Sequence, residues 1–174
     1  MAILEQPTLQ IALSVVIRAA TLADLPQLEW YGQYAHYRNL FRQAYHDQQL
    51  GSRLILVADC NGFPIGTISV LLIDDEVIHK QAYFYSLRVM EMFHSRGIGT
   101  RLLIEAETRM LALGYNQFVI AAAKTNHAAR RLYEHLGYEV FMDDPGEWSY
   151  TDHLGNVRHV KEPCWLLQKI TAMR

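Results

Sequence analysis

The chain has 174 residues, of which 51% are hydrophobic and 20% charged. This length suits one domain of roughly 150 residues, and the apolar content is far too high for a disordered chain. The 16 Lys and Arg residues against 18 Asp and Glu residues give a formal net charge of -2. Because nucleic-acid binding generally uses a basic excess, we expect no nucleic-acid partner.

The sequence also carries no signal typical of a membrane or secreted protein. No apolar run approaches the roughly 18 residues of a membrane span, because Arg53, Asp59 and Asp74 interrupt the most apolar stretch. Glu5 stands where a signal peptide would be basic, and no cleavage site of the usual form follows. We therefore expect no membrane association and a cytoplasmic location.

Cysteine usage and local composition suggest a simple organisation. Cys60 and Cys164 lie far apart without C-x-x-C spacing, so we expect two reduced thiols and no metal site. There is no repeat or low-complexity tract. We expect a short N-terminal extension at residues 1–14 and a single domain at residues 15–174.

The first part of this domain is predicted to be a strand followed by helices. Residues 15–18 form a β-branched run, and Thr21 three residues before Asp24 is typical of a helix start. Apolar side chains recur at spacings of three and four through residues 22–50, which predicts one broken helix or two short helices. The aromatic members of this stripe are Tyr31, Tyr34, Tyr37, Phe41 and Tyr45.

Three strands of an antiparallel sheet are predicted next. Residues 53–60 and 65–73 are apolar runs that flank Asn61-Gly62, a strong hairpin signal. The acidic residues 74–76 predict a turn, and the loose alternation of residues 80–89 predicts the third strand.

The rest of the chain alternates strands and helices. One predicted helix begins at Gly97 and ends at Gly114, and another is capped by Thr125 or Asn126 and ends at Gly137. The other predicted elements are strands at residues 115–123, 138–142 and 164–170, and a turn-rich segment at 143–163 with a reversal at 154–156. The whole order predicts a single α+β domain, a mixed sheet with helices on its faces.

The turn around Gly97 and Gly99 is the first candidate site. Glycine allows a ligand to approach the backbone closely, and amides at a helix N-terminus attract anions. The turn therefore suits a diphosphate, with Arg96 as an additional cation, or it is only a tight connection. A P-loop is excluded because no G-K-[ST] follows, and a dinucleotide fingerprint is excluded because Leu102 occupies the third glycine position.

The second candidate element contains Asn126 and Tyr133. These residues lie about two helical turns apart and share one helix face. Taken alone, they are more simply interpreted as a helix cap and a core aromatic residue.

Together and in this order, the two elements resemble the GNAT superfamily of acyl-CoA-dependent N-acetyltransferases. The family pattern L-x-V-x-P-x-[YF]-[RQ]-x-x-G-x-[GA] is represented by Leu87, Val89, Phe93, His94, Gly97 and Gly99. Glu91 stands at the usual proline position, and His94 stands where Arg or Gln is usual. The pattern N-x-x-A-x-x-[LF]-Y-x-x-x-G-[FY] is matched by Asn126, Ala129, Leu132, Tyr133, Gly137 and Tyr138.

The resemblance implies a GNAT-like, mostly antiparallel sheet in which a splayed strand pair forms a cleft for acetyl-CoA, the co-substrate. It implies that main-chain amides near Val89 stabilise the thioester oxyanion and that Tyr133 protonates the departing thiolate. An amine attacks directly in a ternary complex. The residues that it assigns to the cofactor are Leu87, Arg88, Val89, His94, Ser95, Arg96, Gly97, Ile98, Gly99, Thr100, Asn126, Ala129 and Tyr133.

The resemblance leaves the general base open. Some family members carry a glutamate where this chain has Tyr83. Glu91, just beyond the strand end, is a candidate catalytic carboxylate, and a solvated loop residue is the alternative interpretation. His79 and His94 have the right chemistry near neutral pH but suit the surface equally well.

The implied function is acetyl transfer to a primary amine of a small molecule or peptide. The alternatives are a protein N-terminal or lysine acetyltransferase and a non-catalytic acyl-CoA sensor. The aromatic stripe could line the acceptor site or pack in the core, and an acidic loop could attract an amine or be merely solvated. That loop contains Asp143, Asp144, Glu147, Trp148, Tyr150 and Asp152. Homodimers are frequent among similar proteins.

Overall fold

The computed structural model describes residues 11–75 and 79–172. Its helices are α1 (Arg38–Gln49), α2 (Ile98–Ala112) and α3 (His127–His135). Its strands are β1 (Val16–Ala19), β2 (Arg53–Cys60), β3 (Phe63–Asp75), β4 (His79–Val89), β5 (Gln117–Ala123), β6 (Glu139–Asp144), β7 (Glu147–Thr151), β8 (Val157–Lys161) and β9 (Cys164–Ile170).

Seven of these strands form one sheet, in the order β1-β2-β3-β4-β5-β9-β6. Every neighbouring pair is antiparallel except β4 and β5, which are parallel. The β2–β3 hairpin turns at Asn61 and Gly62, whose φ angles of 53° and 83° are those of a type I′ turn. The predicted fold, a mixed and mostly antiparallel sheet within one α+β domain, is confirmed.

Apolar residues pack on both faces of the sheet. The larger cluster lies under α2 and α3 and contains the fully buried Phe84, Leu102, Met110 and Phe118. The smaller cluster lies under α1 and includes Ala44 together with strand residues of β2. These helices on opposite faces leave the centre of the sheet covered, so that access to it is possible only where the strands part.

Residues 22–37 do not form the predicted helix. They form three short 3-10 turns: Leu22–Asp24, Gln27–Glu29 and Ala35–Tyr37. Between the second and third turns, Trp30, Tyr31 and Gly32 have φ angles of 43°, 59° and 95°, which a right-handed helix does not allow. The Trp30 indole is buried and donates to the Pro64 carbonyl at 2.8 Å. This long-range anchor outweighs the local helical spacing.

The segment predicted to be turn-rich contains the separate two-stranded hairpin β7–β8. Its reversal falls at Gly155, as predicted. Both strands expose nearly every side chain, so they lack the apolar alternation by which a half-buried strand is predicted.

Two expectations lie partly outside the described residues. These are the N-terminal extension, of which residues 1–10 are not described, and the acidic turn, of which Glu76 is not described. Asp74 and Asp75 were predicted to lie in that turn, but they belong to β3 and pair with β4. Residues 11–15 precede β1 without regular secondary structure. Among the described helices, none has the length and apolar character needed to cross a membrane.

Candidate active site

The cleft begins where β4 and β5 stop pairing. The two strands are hydrogen-bonded only through residues 81–84 and 117–120, although both continue. A bulge follows in β4: Tyr85 lies opposite Ser69 and Arg88 opposite Thr67, so an extra residue is inserted on β4. Ser86 adopts a φ of 53° there. Because a bulge bends its strand, this geometry produces the predicted splayed strand pair.

A cavity of about 950 Å³ opens at this point. Such a volume is in the range of small-molecule and cofactor sites. Its wall includes five residues that the sequence assigned to the site: Leu87, Arg88, Asn126, Ala129 and Tyr133. The structure thus brings the end of β4 and the start of α3 together around one space.

Tyr133 is placed by the local structure of α3. The Asn126 side chain caps the helix by accepting the Ala129 amide at 3.0 Å, and Tyr133 on the same face lines the cavity while remaining 5% exposed. Burial, with a smaller contribution from Tyr83, raises the pKa of Tyr133 to about 12. Its phenol therefore carries its proton throughout the neutral range and is available as a donor.

The backbone of Val89 faces the gap between the strands. The Met90 amide donates to the Ile65 carbonyl on β3 at 2.9 Å. Since successive amides of a strand point in opposite directions, the Val89 amide points away from β3. The His94 ring lies with Nε2 2.7 Å from the Val89 carbonyl oxygen, so this side chain fixes the strand end.

The turn into α2 presents free amides to solvent. Gly97 is the N-cap with a φ of 78° and no side-chain cap. The Arg101 amide is the first to bond within the helix, to the Gly97 carbonyl at 3.0 Å, which leaves the preceding three helical amides without that partner. Ser95 also has a positive φ, 58°, and alternating left-handed residues of this kind form anion-binding concavities.

This turn is open. Nothing lies within 4 Å of a Cβ built on Gly97, and Ser95, Arg96 and Gly97 are exposed. Residues 94–100 lie outside the wall of the cavity. The predicted cofactor residues therefore fall into two groups, one around the cavity and one on the turn into α2. Within the second group, the side chain of Ile98 is buried in the larger core cluster, so only its backbone can serve a ligand.

The candidate base Glu91 belongs to neither group. It is exposed on the 3-10 turn Glu91–Phe93 and does not line the cavity. The side chain of His79 lies outside the described residues. The sequence did not indicate Asp144 as the general base. Asp144 lines the cavity, and its carboxylate accepts the Gly146 amide at 2.6 Å. Only its membership of the acidic loop pointed to it.

Aromatic side chains form the wall opposite α3. From the predicted stripe, Tyr34, Tyr37 and Phe41 line the cavity. Tyr31 is instead 88% exposed and stacks on Phe63, and Tyr45 packs in the smaller core cluster.

The β7–β8 hairpin completes this wall. Trp148 stacks on Tyr37 with ring centroids 6.5 Å apart, and Tyr150 lies 5.1 Å from the same ring. The side-chain amide of Asn39, at the start of α1, donates to the backbone carbonyl of Asp152 at 2.8 Å. The hairpin is thereby attached to α1 beside the cavity.

Comparison with known proteins agrees with this arrangement. The profile of the Acetyltransferase (GNAT) family matches residues 19–138. The chain belongs to the GNAT family. No curated protein sequence matches it significantly.

Solved GNAT structures share its fold. The ribosomal-protein-S18-alanine N-acetyltransferase from Escherichia coli is 19% identical with a TM-score of 0.71, over 92% of this chain and 96% of that one. Arabidopsis thaliana NAA60 with a bisubstrate analogue is 15% identical with a TM-score of 0.70, over 92% and 100%. The ribosomal-protein-alanine N-acetyltransferase from Brucella melitensis is 20% identical with a TM-score of 0.70, over 90% and 99%.

The residues of this GNAT domain suit an acyl-CoA. The turn before α2 offers unbonded amides to an anion, and Tyr133 lines the cavity that opens where β4 and β5 part. Arabidopsis thaliana NAA60 has also been solved in complex with acetyl-CoA. Within the described part of this chain, no group of three or more His, Cys, Asp and Glu side chains is arranged to hold a metal ion.

Proposed function

We propose that this GNAT domain transfers an acetyl group from acetyl-CoA to a primary amine of a small molecule or peptide. The observation that carries the proposal is the position of Tyr133, a buried and protonated phenol in the cavity where β4 and β5 part. A proton donor at this place favours acetyl transfer over cofactor binding alone.

The exposed turn before α2 is the proposed diphosphate site. Its unbonded amides and the positive end of the helix dipole favour a doubly charged group. Arg96, exposed in the same turn, adds a cation. The pantetheine arm then runs along the gap between the strands, past Asn126 and Ala129, and carries the thioester to the cavity.

The transfer itself is a direct acyl substitution. The amine nitrogen attacks the thioester carbonyl carbon, the new C–N bond forms and the C–S bond breaks. The Val89 amide donates to the carbonyl oxygen as negative charge develops there. Tyr133 donates its proton to the departing sulfur, so CoA leaves as the thiol, and the proton lost by the amine passes to a base.

Asp144 is a stronger candidate for that base than Glu91. Asp144 lines the cavity, whereas Glu91 is exposed on the turn beyond it. A base must lie within hydrogen-bond reach of the attacking amine, directly or through one water. The expected consequence is that Asp144→Asn lowers kcat/KM at neutral pH more than Glu91→Gln does.

The test is a thiol-release assay with acetyl-CoA over a panel of amines. The panel contains small amines, free amino acids, peptides with a free N-terminus and N-acetylated peptides with an internal lysine. We expect CoA release that depends on the amine. If acetyl-CoA binds by calorimetry but no amine causes release above hydrolysis, the domain is a non-catalytic sensor and the proposal fails.

A protein N-terminus is the second candidate acceptor. It is favoured by the names of the neighbours from Escherichia coli and Brucella melitensis, which describe acetylation of the alanine of a ribosomal protein. The peptides in the panel test this alternative. If a protein N-terminus is the acceptor, peptides with a free N-terminus should have a higher kcat/KM than every small amine.

A further inference from the structure

The acceptor side of the cavity contains one arginine in an unusual position. The Arg88 guanidinium lies over two tyrosine rings, 4.5 Å from the centroid of Tyr34 and 4.9 Å from that of Tyr37. All three side chains line the cavity. Cation–π contacts with these two rings, which themselves stack 6.2 Å apart, restrict the orientation of the planar guanidinium.

Arg88 forms no hydrogen bond or ion pair within the described part of the chain. Other partly buried arginines of the described residues do have carboxylate partners: Arg18 bonds Asp24, and Arg53 lies 3.1 Å from Asp47. Burial lowers the pKa of Arg88 from its ordinary value, yet arginine remains a cation at neutral pH. The cavity therefore contains an unpaired positive charge.

A partly buried, unpaired cation is costly to the folded protein. An anionic ligand that binds beside the guanidinium would offset this cost in free energy. The guanidinium fork matches the two oxygens of a carboxylate, and neighbouring aromatic rings exclude water and strengthen the interaction.

The same cavity also contains negative charge on a different part of its wall. Asp144, Glu147 and Glu162 line it from the ends of β6, β7 and β8, whereas Arg88 comes from β4. A molecule with both an ammonium and a carboxylate would find a partner for each. Arg88 also directly precedes Val89, whose amide faces the gap, so a carboxylate held there keeps a small acceptor close to the reacting centre.

We infer that the acceptor is a small amine that carries a carboxylate, such as a free amino acid, and that Arg88 binds this carboxylate. The inference rests on the proposed acetyltransferase function and narrows its substrate class. A peptide N-terminus has its first carboxylate replaced by an amide, so it lacks the group that Arg88 recognises.

The experiment compares matched acceptors at saturating acetyl-CoA. The probes are L-alanine, L-phenylalanine and L-glutamate, the carboxamide of each, and a peptide beginning with each residue. We expect at least one acid to exceed its amide in kcat/KM by about tenfold or more, since a charge-assisted hydrogen bond contributes that much. The difference should reside mainly in KM, because the carboxylate is bound before and during transfer alike.

Substitutions of Arg88 test whether this residue causes the preference for acids over amides. Arg88→Met should reduce the acid-to-amide ratio to near one, and Arg88→Lys should retain part of it through the remaining charge. Arg42→Met is the matched control, because Arg42 is an exposed arginine of α1 outside the cavity wall. It should keep the wild-type ratio.

Each result has a defined meaning. Amides or peptides that equal or exceed every acid with the wild-type protein contradict the inference, and this comparison needs no variant. A preference for acids that survives in folded Arg88→Met also contradicts it. If no amine of any class releases CoA, the proposed function itself fails and the inference falls with it.

Discussion

At the residue scale, the proton on Tyr133 is the central chemical feature. We predict that Tyr133→Phe lowers kcat on the order of 100-fold, the lower end of general acid catalysis, and changes acetyl-CoA affinity little. Because burial raises the pKa of Tyr133 to about 12, loss of its proton should not shape the wild-type pH profile below pH 10. The measurements are thiol release and calorimetric titration.

The control for this variant is Tyr115→Phe. Tyr115 is also buried, and its pKa is also raised by burial, but it precedes β5 and does not line the cavity. Removal of its hydroxyl should leave kcat unchanged. Equal turnover in the Tyr133→Phe and Tyr115→Phe proteins would remove the acid role.

Gly97 tests the diphosphate site at the same scale. The sequence predicts that glycine lets a ligand approach the backbone closely at this turn, and the structure shows open space around Gly97. Gly97→Val would place a side chain in this open space, where the diphosphate is proposed to lie, and a β-branched residue also avoids the positive φ of this position. We predict that the variant weakens acetyl-CoA binding, because its backbone leaves the conformation that aims the amides.

Gly51→Val is a matched control for this change. Gly51 has a φ of 80° and nothing within 4 Å of an added Cβ, but it lies after α1, away from the cofactor turn. Both variants should lose a similar amount of stability, while only Gly97→Val should lose affinity in calorimetric titration. Wild-type affinity in a folded Gly97→Val protein would contradict the placement of the diphosphate.

At the scale of elements, Asp152 organises the β7–β8 hairpin. Its buried carboxylate accepts the Leu154 and Asn156 amides, each at 2.9 Å, and the Arg158 guanidinium at 2.7 Å. Burial alone would raise the pKa of Asp152, but these hydrogen bonds lower it well below its ordinary value. The charged form is therefore the one that stabilises the hairpin.

We predict that Asp152→Asn lowers Tm by a few degrees at pH 7 and raises KM for the acceptor, because the hairpin carries part of the cavity wall. The carboxyl is deprotonated in the folded protein below its unfolded pKa of about 3.9. Its stabilisation is thus complete above that pH and is lost as the pH falls further. The difference in Tm between wild type and variant should narrow from pH 4 downwards.

Asp143→Asn is the control for the hairpin. Asp143 forms an exposed ion pair with Lys124 at 3.1 Å, and such surface pairs contribute little to stability. Its Tm should match the wild type at pH 7. A Tm difference for Asp152→Asn that stays constant down to pH 2 would show that its charge does not stabilise the hairpin.

At the scale of the whole molecule, one polar cluster links α2, β9 and the connection between α3 and β6. Glu107 of α2 accepts the Tyr138 hydroxyl at 2.8 Å and pairs with Lys169 of β9 at 2.7 Å. Removal of the carboxylate leaves the buried Tyr138 hydroxyl and the partly exposed Lys169 ammonium without this partner. We predict that Glu107→Ala lowers the free energy of unfolding by about 3 kcal/mol, measured by urea denaturation.

Glu105→Ala on the same helix is the control. Glu105 pairs with Arg109 at 2.8 Å, but both side chains are more than a third exposed. We expect a loss of about 0.5 kcal/mol or less. If the two variants lost the same free energy of unfolding, the Glu107 cluster would contribute no more to stability than an exposed ion pair does.

Much of the architecture could be predicted from the sequence because local signals agree with the tertiary packing. The bounds of β2 and β9 follow from apolar runs that stop at turn residues, and Gly114 and Gly137 end their helices with positive φ angles. The 3-10 turns before α1 could not be predicted in this way. They depend on Trp30, whose partner Pro64 lies far along the chain.

The sequence predicted those parts of the candidate site that consist of backbone groups and helix caps. The motif residues from Leu87 to Gly99 and from Asn126 to Tyr133 specify where β4, α2 and α3 meet. The contacts of Arg88 with two tyrosine rings and the position of Asp144 in the cavity wall could not be predicted in this way. Both depend on contacts between segments distant in sequence, which no local pattern records.

The proposed function requires that the unbonded amides before α2 bind the diphosphate of acetyl-CoA. Calorimetric titration of the wild type and of Gly97→Val with acetyl-CoA, beside S-acetylpantetheine, which lacks the diphosphate and the 3′-phosphoadenosine attached to it, tests this most directly. We predict one-to-one binding of acetyl-CoA and an affinity for S-acetylpantetheine that is weaker by tenfold or more, about the contribution of one charge-assisted hydrogen bond. Equal affinity for the two compounds, or no binding of acetyl-CoA, would contradict it.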